Sequence, residues 1–131
     1  MSKNPVVHFE MPYTNAKRLS KFYSSAFGWG MLDAGPNMGG YVVAHTAETD
    51  KDQMVKTPGT INGGFYQKSK STYKYPSFVI SVPDLNKAMV EVKKAGGKII
   101  SAPTEIPGIG MWAVFTDTEG NRVSMLQARK K

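Results

Sequence analysis

The chain has no cysteine, so disulfides and thiolate chemistry are excluded. It has only two histidines, His8 and His45, which leaves little imidazole with which to build a catalytic or metal centre. Long apolar runs are also missing; the longest are a few residues, far short of a bilayer span. The start, MSKNPVV, lacks the apolar stretch and small-residue cleavage site of a secretion signal. With eight methionines and no thiol, the expected location is the cytoplasm. Acidic residues are outnumbered 10 to 17, giving a net charge of +7. The cations at Lys68, Lys70, Lys74, Arg129, Lys130 and Lys131 fall in Ser-rich or terminal sequence, and no nucleic-acid recognition motif accompanies them. Neither a nucleic acid nor a membrane is expected as partner. A small anionic molecule is the more modest use of this field.

What the chain does have is a repeated order of elements. In Val6–Met11, Val7, Phe9 and Met11 alternate with Val6, His8 and Glu10, and the first set is expected to meet a helix. That helix should start at Thr14 or Asn15, carry Leu19, Phe22, Tyr23, Ala26 and Phe27 as a buried stripe, and stop at Gly28. Strands are expected at 29–33, 41–46 and 60–67, with a polar loop over 48–59. Gly63-Gly64 inside a strand signals a bulge or a close backbone approach.

The order then recurs. Phe78, Ile80 and Val82 alternate with Ser77, Val79 and Ser81; Asp84 caps a helix bearing Leu85, Ala88, Met89, Val92 and Ala95; Gly96-Gly97 ends it. Strands follow at 98–102, 111–116 and 121–128, and PTEIPGIG (103–110) reads as a connection or a mobile lip. This is an α+β chain of two βαβββ modules enclosing one cleft. The modules run over approximately 4–67 and 76–128 and are joined by a linker at 68–75, all within one domain spanning 1–131.

Several features together resemble the glyoxalase, bleomycin-resistance and extradiol-dioxygenase superfamily, the vicinal oxygen chelate (VOC) proteins. They are the strand histidine 14 residues before an FY pair (His8, Phe22, Tyr23), the FGW helix exit at 27–29, the aspartate-led helix ending in AGG, and TDTEGNRVSML near the end. The resemblance implies a glyoxalase-like curved mixed sheet or open barrel, pairing as a homodimer, and kinship with lactoylglutathione lyase. Metal-dependent members hold a divalent ion with one side chain from each of four central strands. His8 matches the first position, but the others fall at about Gly63, Ser77 and Ser124, none of which supplies the usual ligand, and Asn62, Gly64, Val79 and Leu126 do not replace them. No cofactor is therefore expected, with a weak divalent site on His8 and Glu10 left open.

On this reading His8 and Glu10 are the catalytic candidates, His8 being either a hydrogen-bonded structural imidazole or a general base. Ser77, Ser81, Trp112, Arg122 and Ser124 are the candidate ligand contacts. The leading expectation is a protein of the glyoxalase/bleomycin-resistance type that binds a small organic molecule with a degenerate metal site. The alternatives are a lyase or isomerase using His8 and Glu10 with a weakly bound metal, and a non-catalytic protein that sequesters an antibiotic or metabolite.

Overall fold

The computed structural model describes residues 3–70 and 73–129. The expected linker 68–75 thus includes two residues, Ser71 and Thr72, outside the described ones, as are Lys130 and Lys131. The chain forms two compact units: residues 8–76, and residues 77–129 together with residues 3–7. Nine strands and two α-helices occur among the described residues. The α+β class and the repeated helix-in-sheet order are therefore present.

In the first unit, β1 (Val6–Tyr13, in this unit from His8) is followed by α1 (Ala16–Phe27), β2 (Gly30–Asp33), β3 (Val42–His45) and β4 (Asn62–Gln67). The strands lie in the order β2-β3-β4-β1, antiparallel except for the parallel pair β1–β4. Asn15 caps α1 by accepting the Arg18 N–H at 2.9 Å, and Gly28 closes it in the left-handed conformation that favours glycine. Phe9, Met11, Leu19, Tyr23 and Trp29 pack on a core of Tyr13, Val42, Ala44 and Phe65, so one face of the sheet is covered by α1.

Two expectations about this core are corrected. Val7 is exposed and belongs to the other unit, because the boundary falls inside β1. Phe22 and Phe27 are 56% and 64% exposed rather than buried. Tyr23 stacks on Trp29 with centroids 4.6 Å apart and planes 7° from parallel, and with Leu19 it fills the width that the helix presents to the sheet. The other two rings are left at the edge, Phe22 against Tyr23 and Phe27 against Trp29.

The second unit repeats the connection with β5 (Ser77–Ser81), α2 (Leu85–Lys94), β6 (Lys98–Ile99), β7 (Thr104–Ile106), β8 (Gly110–Thr116) and β9 (Arg122–Ala128). The order is β5-β9-β8-β6, antiparallel except for the parallel pair β5–β9. Asp84 caps α2 through the Lys87 N–H at 3.1 Å, and Lys93 and Lys94 complement the helix dipole in its last turn. Val82, Leu85, Ala113, Phe115, Val123 and Met125 form the core under α2.

Residues 98–102 do not make one strand, and residues 103–110 are not a plain connection. The N–H groups of Ile100 and Ser101 both point at the Val114 carbonyl, while Ser101 Oγ accepts the Val114 N–H at 3.0 Å. A side chain thus takes a ladder position, β6 ends early, and the chain resumes pairing with β8 as the additional strand β7.

Phe65 is only 1% exposed. Phe65→Ala is expected to cost about 3–5 kcal/mol of unfolding free energy, whereas Phe22→Ala costs about 1 kcal/mol or less. Urea denaturation of both variants checks the contrast.

Candidate functional site

On β1, alternation that sends Phe9 and Met11 toward α1 sends His8 and Glu10 to the opposite face. The register places His8 beside Asn62 and Glu10 beside Gly64 of β4, and Gly64 in turn beside Val43 of β3. Tyr41, two residues before Val43, shares that face by parity. A Cβ added to Gly64 would come closer than 3.0 Å to the Tyr41 ring, and one added to Gly63 would collide in the same way with the Phe9 ring. The glycine pair is a double close approach: Phe9 crosses β4 on the helix side, Tyr41 on the other.

Crossing β4 lets Tyr41 bridge residues of β1 that lie two strand spacings from its own strand, roughly 10 Å away. Tyr41 Oη lies 3.0 Å from His8 Nε2 and donates to Glu10 Oε2 at 3.2 Å. Burial pushes the His8 imidazole down from its ordinary value to about 4, so it is neutral at physiological pH. Tyr41 is pushed upward, first by burial, then by the Glu10 charge and the hydrogen bond to it, so the phenol keeps its proton. A neutral imidazole, a phenol and a carboxylate thus form one hydrogen-bonded row on a sheet face.

This row brings together the two expected catalytic candidates and adds Tyr41, whose expected place is only within a strand. The available signal is the Gly63-Gly64 pair, because a glycine inside a strand often marks a bulge or a close approach, and at Gly64 it is the approach of the Tyr41 ring. The five expected ligand contacts all lie in the second unit. Ser77, Ser81, Trp112, Arg122 and Ser124 share the sheet face opposite α2, by the register of β5, β9 and β8. Ser77 Oγ already donates to the Arg122 carbonyl at 2.7 Å, and Ser124 is buried.

The donors around His8 do not fit a divalent ion. Tyr41 Oη bridges the imidazole and the carboxylate, Gly64 offers nothing, and the Asn62 amide oxygen is taken by the N–H groups of Thr46 at 2.8 Å and Ala47 at 2.9 Å. Among the described residues, no three His, Cys, Asp or Glu side chains gather as a metal-holding group. Two shallow concavities occur within the units. One, about 500 Å³, is lined by Asp33, Gly35, Pro36, Gly39, Gly40 and Gln67, and the other, about 450 Å³, by residues including Glu105, Met111, Gln127 and Arg129. Neither is lined by the row. No helix among the described residues is long and apolar enough to cross a membrane.

Residues 6–125 match the model of the Glyoxalase/Bleomycin resistance protein/Dioxygenase superfamily, and the chain belongs to that family. It is 34% identical over 116 residues to a glyoxylase-like domain-containing protein of Didymella fabae, covering 86% of this chain and 84% of that one. Solved structures share the fold at low identity. A hypothetical protein from Bacillus halodurans C-125 matches with a TM-score of 0.70 at 15% identity, covering 99% of this chain and 98% of that one. The methylmalonyl-CoA epimerase of Streptomyces coelicolor, solved with 2-nitronate-propionyl-CoA, matches with a TM-score of 0.72 at 9% identity, covering 98% and 100%.

The lowered value at His8 has a defined pH consequence. Between about pH 6.5 and 4 the unfolded chain takes up a proton that folded His8 refuses, so this part of the stability is complete above pH 6.5 and falls as pH drops through that window. Relative to His8→Gln, the wild type should lose stability by up to about 1.4 kcal/mol per pH unit over this range. Urea denaturation at a series of pH values checks it, with parallel curves as the contrary result.

Proposed function

We propose that this chain is a glyoxalase/bleomycin-resistance-type protein that binds a small organic anion against the His8–Tyr41–Glu10 row, without a tightly held catalytic metal. The observation that carries the reading is the row itself. Three polar side chains converge on a sheet face that the helix leaves uncovered, in a chain whose net charge is +7. The acyl-CoA analogue bound by the structural relative from Streptomyces coelicolor supports small anionic organic molecules as the ligand class to try first. Because the Glu10 carboxylate is itself part of the row, the ligand's own anionic group belongs away from it, with an uncharged part at His8. Ser77, Ser81, Trp112, Arg122 and Ser124 remain proposed contacts of the second unit, to be replaced one at a time.

The second reading is an enzyme, a lyase or isomerase related to lactoylglutathione lyase, in which His8 and Glu10 move a proton beside a carbonyl. One hydroxyl joining an imidazole to a carboxylate favours it. Sequestration without turnover is the remaining alternative. A homodimer, implied by the family resemblance, is checked by sedimentation.

A thermal-shift screen of carboxylates, acyl-CoA esters and anionic antibiotics tests the binding reading. A true ligand at a hundred times its Kd stabilises by about 2.7 kcal/mol, several degrees in Tm, and the shift should be at least halved in His8→Ala. Metal analysis of the purified protein should find no stoichiometric ion; near-stoichiometric Fe, Mn, Ni or Zn lost on His8→Ala would overturn the metal-free reading. Turnover of a ligand found this way, assayed with and without added divalent ions, separates catalysis from sequestration. Turnover indifferent to replacing both His8 and Glu10 would count against the proton-transfer mechanism.

A further inference from the structure

We propose that Tyr41 is a positioning residue: it holds His8 in the Nε2–H tautomer, so that Nδ1 is the hydrogen-bond acceptor His8 offers to a ligand. The inference rests on the reading that the row meets a ligand, and it narrows what that ligand must carry.

The Tyr41 hydroxyl has one proton and a carboxylate can only accept, so the proton lies between Tyr41 Oη and Glu10 Oε2, which are 3.2 Å apart. The remaining contact of Oη, at 3.0 Å from His8 Nε2, then needs its proton from the imidazole. The opposite arrangement, with Tyr41 donating to His8, would set a phenol oxygen against a carboxylate oxygen with nothing between them. In a half-buried row two oxygen lone pairs held 3.2 Å apart with no proton between them repel each other, which makes this the more costly state. The direction of the row is therefore His8 Nε2–H to Tyr41 Oη–H to Glu10.

This polarity selects ligands. A group that meets His8 at Nδ1 must bring a proton of its own, as a hydroxyl, an N–H or an acidic C–H beside a carbonyl. A carboxylate placed there would face a lone pair and be disfavoured. The class narrows to small organic anions with a donor or C–H acid set apart from the charged group. An imidazole so oriented also presents its basic lone pair at Nδ1, so any proton it takes from a ligand is taken there.

Long-range ¹H–¹⁵N spectra of the full chain labelled at histidine test this without any ligand, with His45 as the internal comparison. Between pH 5.5 and 8, His8 should show a protonated Nε2 and an unprotonated Nδ1. Tyr41→Phe should shift it toward a mixture of tautomers. Glu10→Ala, which removes the acceptor and frees the Tyr41 proton, should shift it toward Nδ1–H, and it reads the same coupling if Tyr41→Phe does not fold. An even mixture or Nδ1–H in the wild type, or a tautomer unmoved in either folded variant, would overturn the inference. Since no ligand is involved, those outcomes leave small-molecule binding standing, whereas a failed ligand screen leaves the tautomer result standing.

Discussion

The first unit is organised around two side chains that are not there. Gly63 and Gly64 leave β4 bare on both faces, and each face is crossed by an aromatic ring from a different strand. On the helix side the Phe9 ring settles among Trp29 and Phe65, with centroids 5.6 Å and 6.0 Å away, which ties the strand to the core beneath α1. On the other side the Tyr41 ring spans the gap between β3 and β1 and connects His8 to Glu10. Core packing and the polar row thus depend on one dipeptide, and a methyl group at either position would disturb one face directly.

The second unit, with the same strand order, makes the comparison informative. Its matching face carries Val79, Ser124 and Val114 side by side across β5, β9 and β8, all three buried. None of these three positions is a glycine, so each is occupied by its own side chain. The two repeats therefore share a backbone plan while differing in chemistry, and a polar row arises where the central strand is emptied. Family membership supplies the plan, but the site has to be argued from these residues. Gly64 also bears on the metal question, since the strand that makes room for Tyr41 has no ligand to give at that place.

Much of this was legible in the sequence because it depends on local rules. Asn15, Asp84 and Gly28 mark helix ends through hydrogen bonds and backbone angles that involve only near neighbours. Alternation in β1, β5 and β9 separates helix-facing from opposite-facing residues wherever one face is buried. The features that were not legible depend on neighbours distant in sequence. Periodicity groups Phe22 and Phe27 with Leu19 and Tyr23, but only the width of the sheet decides which rings fit under the helix. β7 arises because Ser101 replaces a backbone partner of Val114, and nothing in PTEIPGIG announces that. Tyr41 follows a glycine-rich turn, and its partners, 31 and 33 residues away, become apparent only once β3, β4 and β1 are in register.

The central claim is that the bare position at Gly64 exists to seat the Tyr41 ring, and a double-mutant cycle addresses it most directly. The unfolding free energies of wild type, Gly64→Ala, Tyr41→Ala and the double variant would be measured by urea denaturation. If the ring occupies that space, Gly64→Ala costs about 1–3 kcal/mol by overpacking in the wild type and much less once Tyr41 is alanine, leaving a coupling of about 1 kcal/mol or more. Additive effects of the two substitutions would contradict the account.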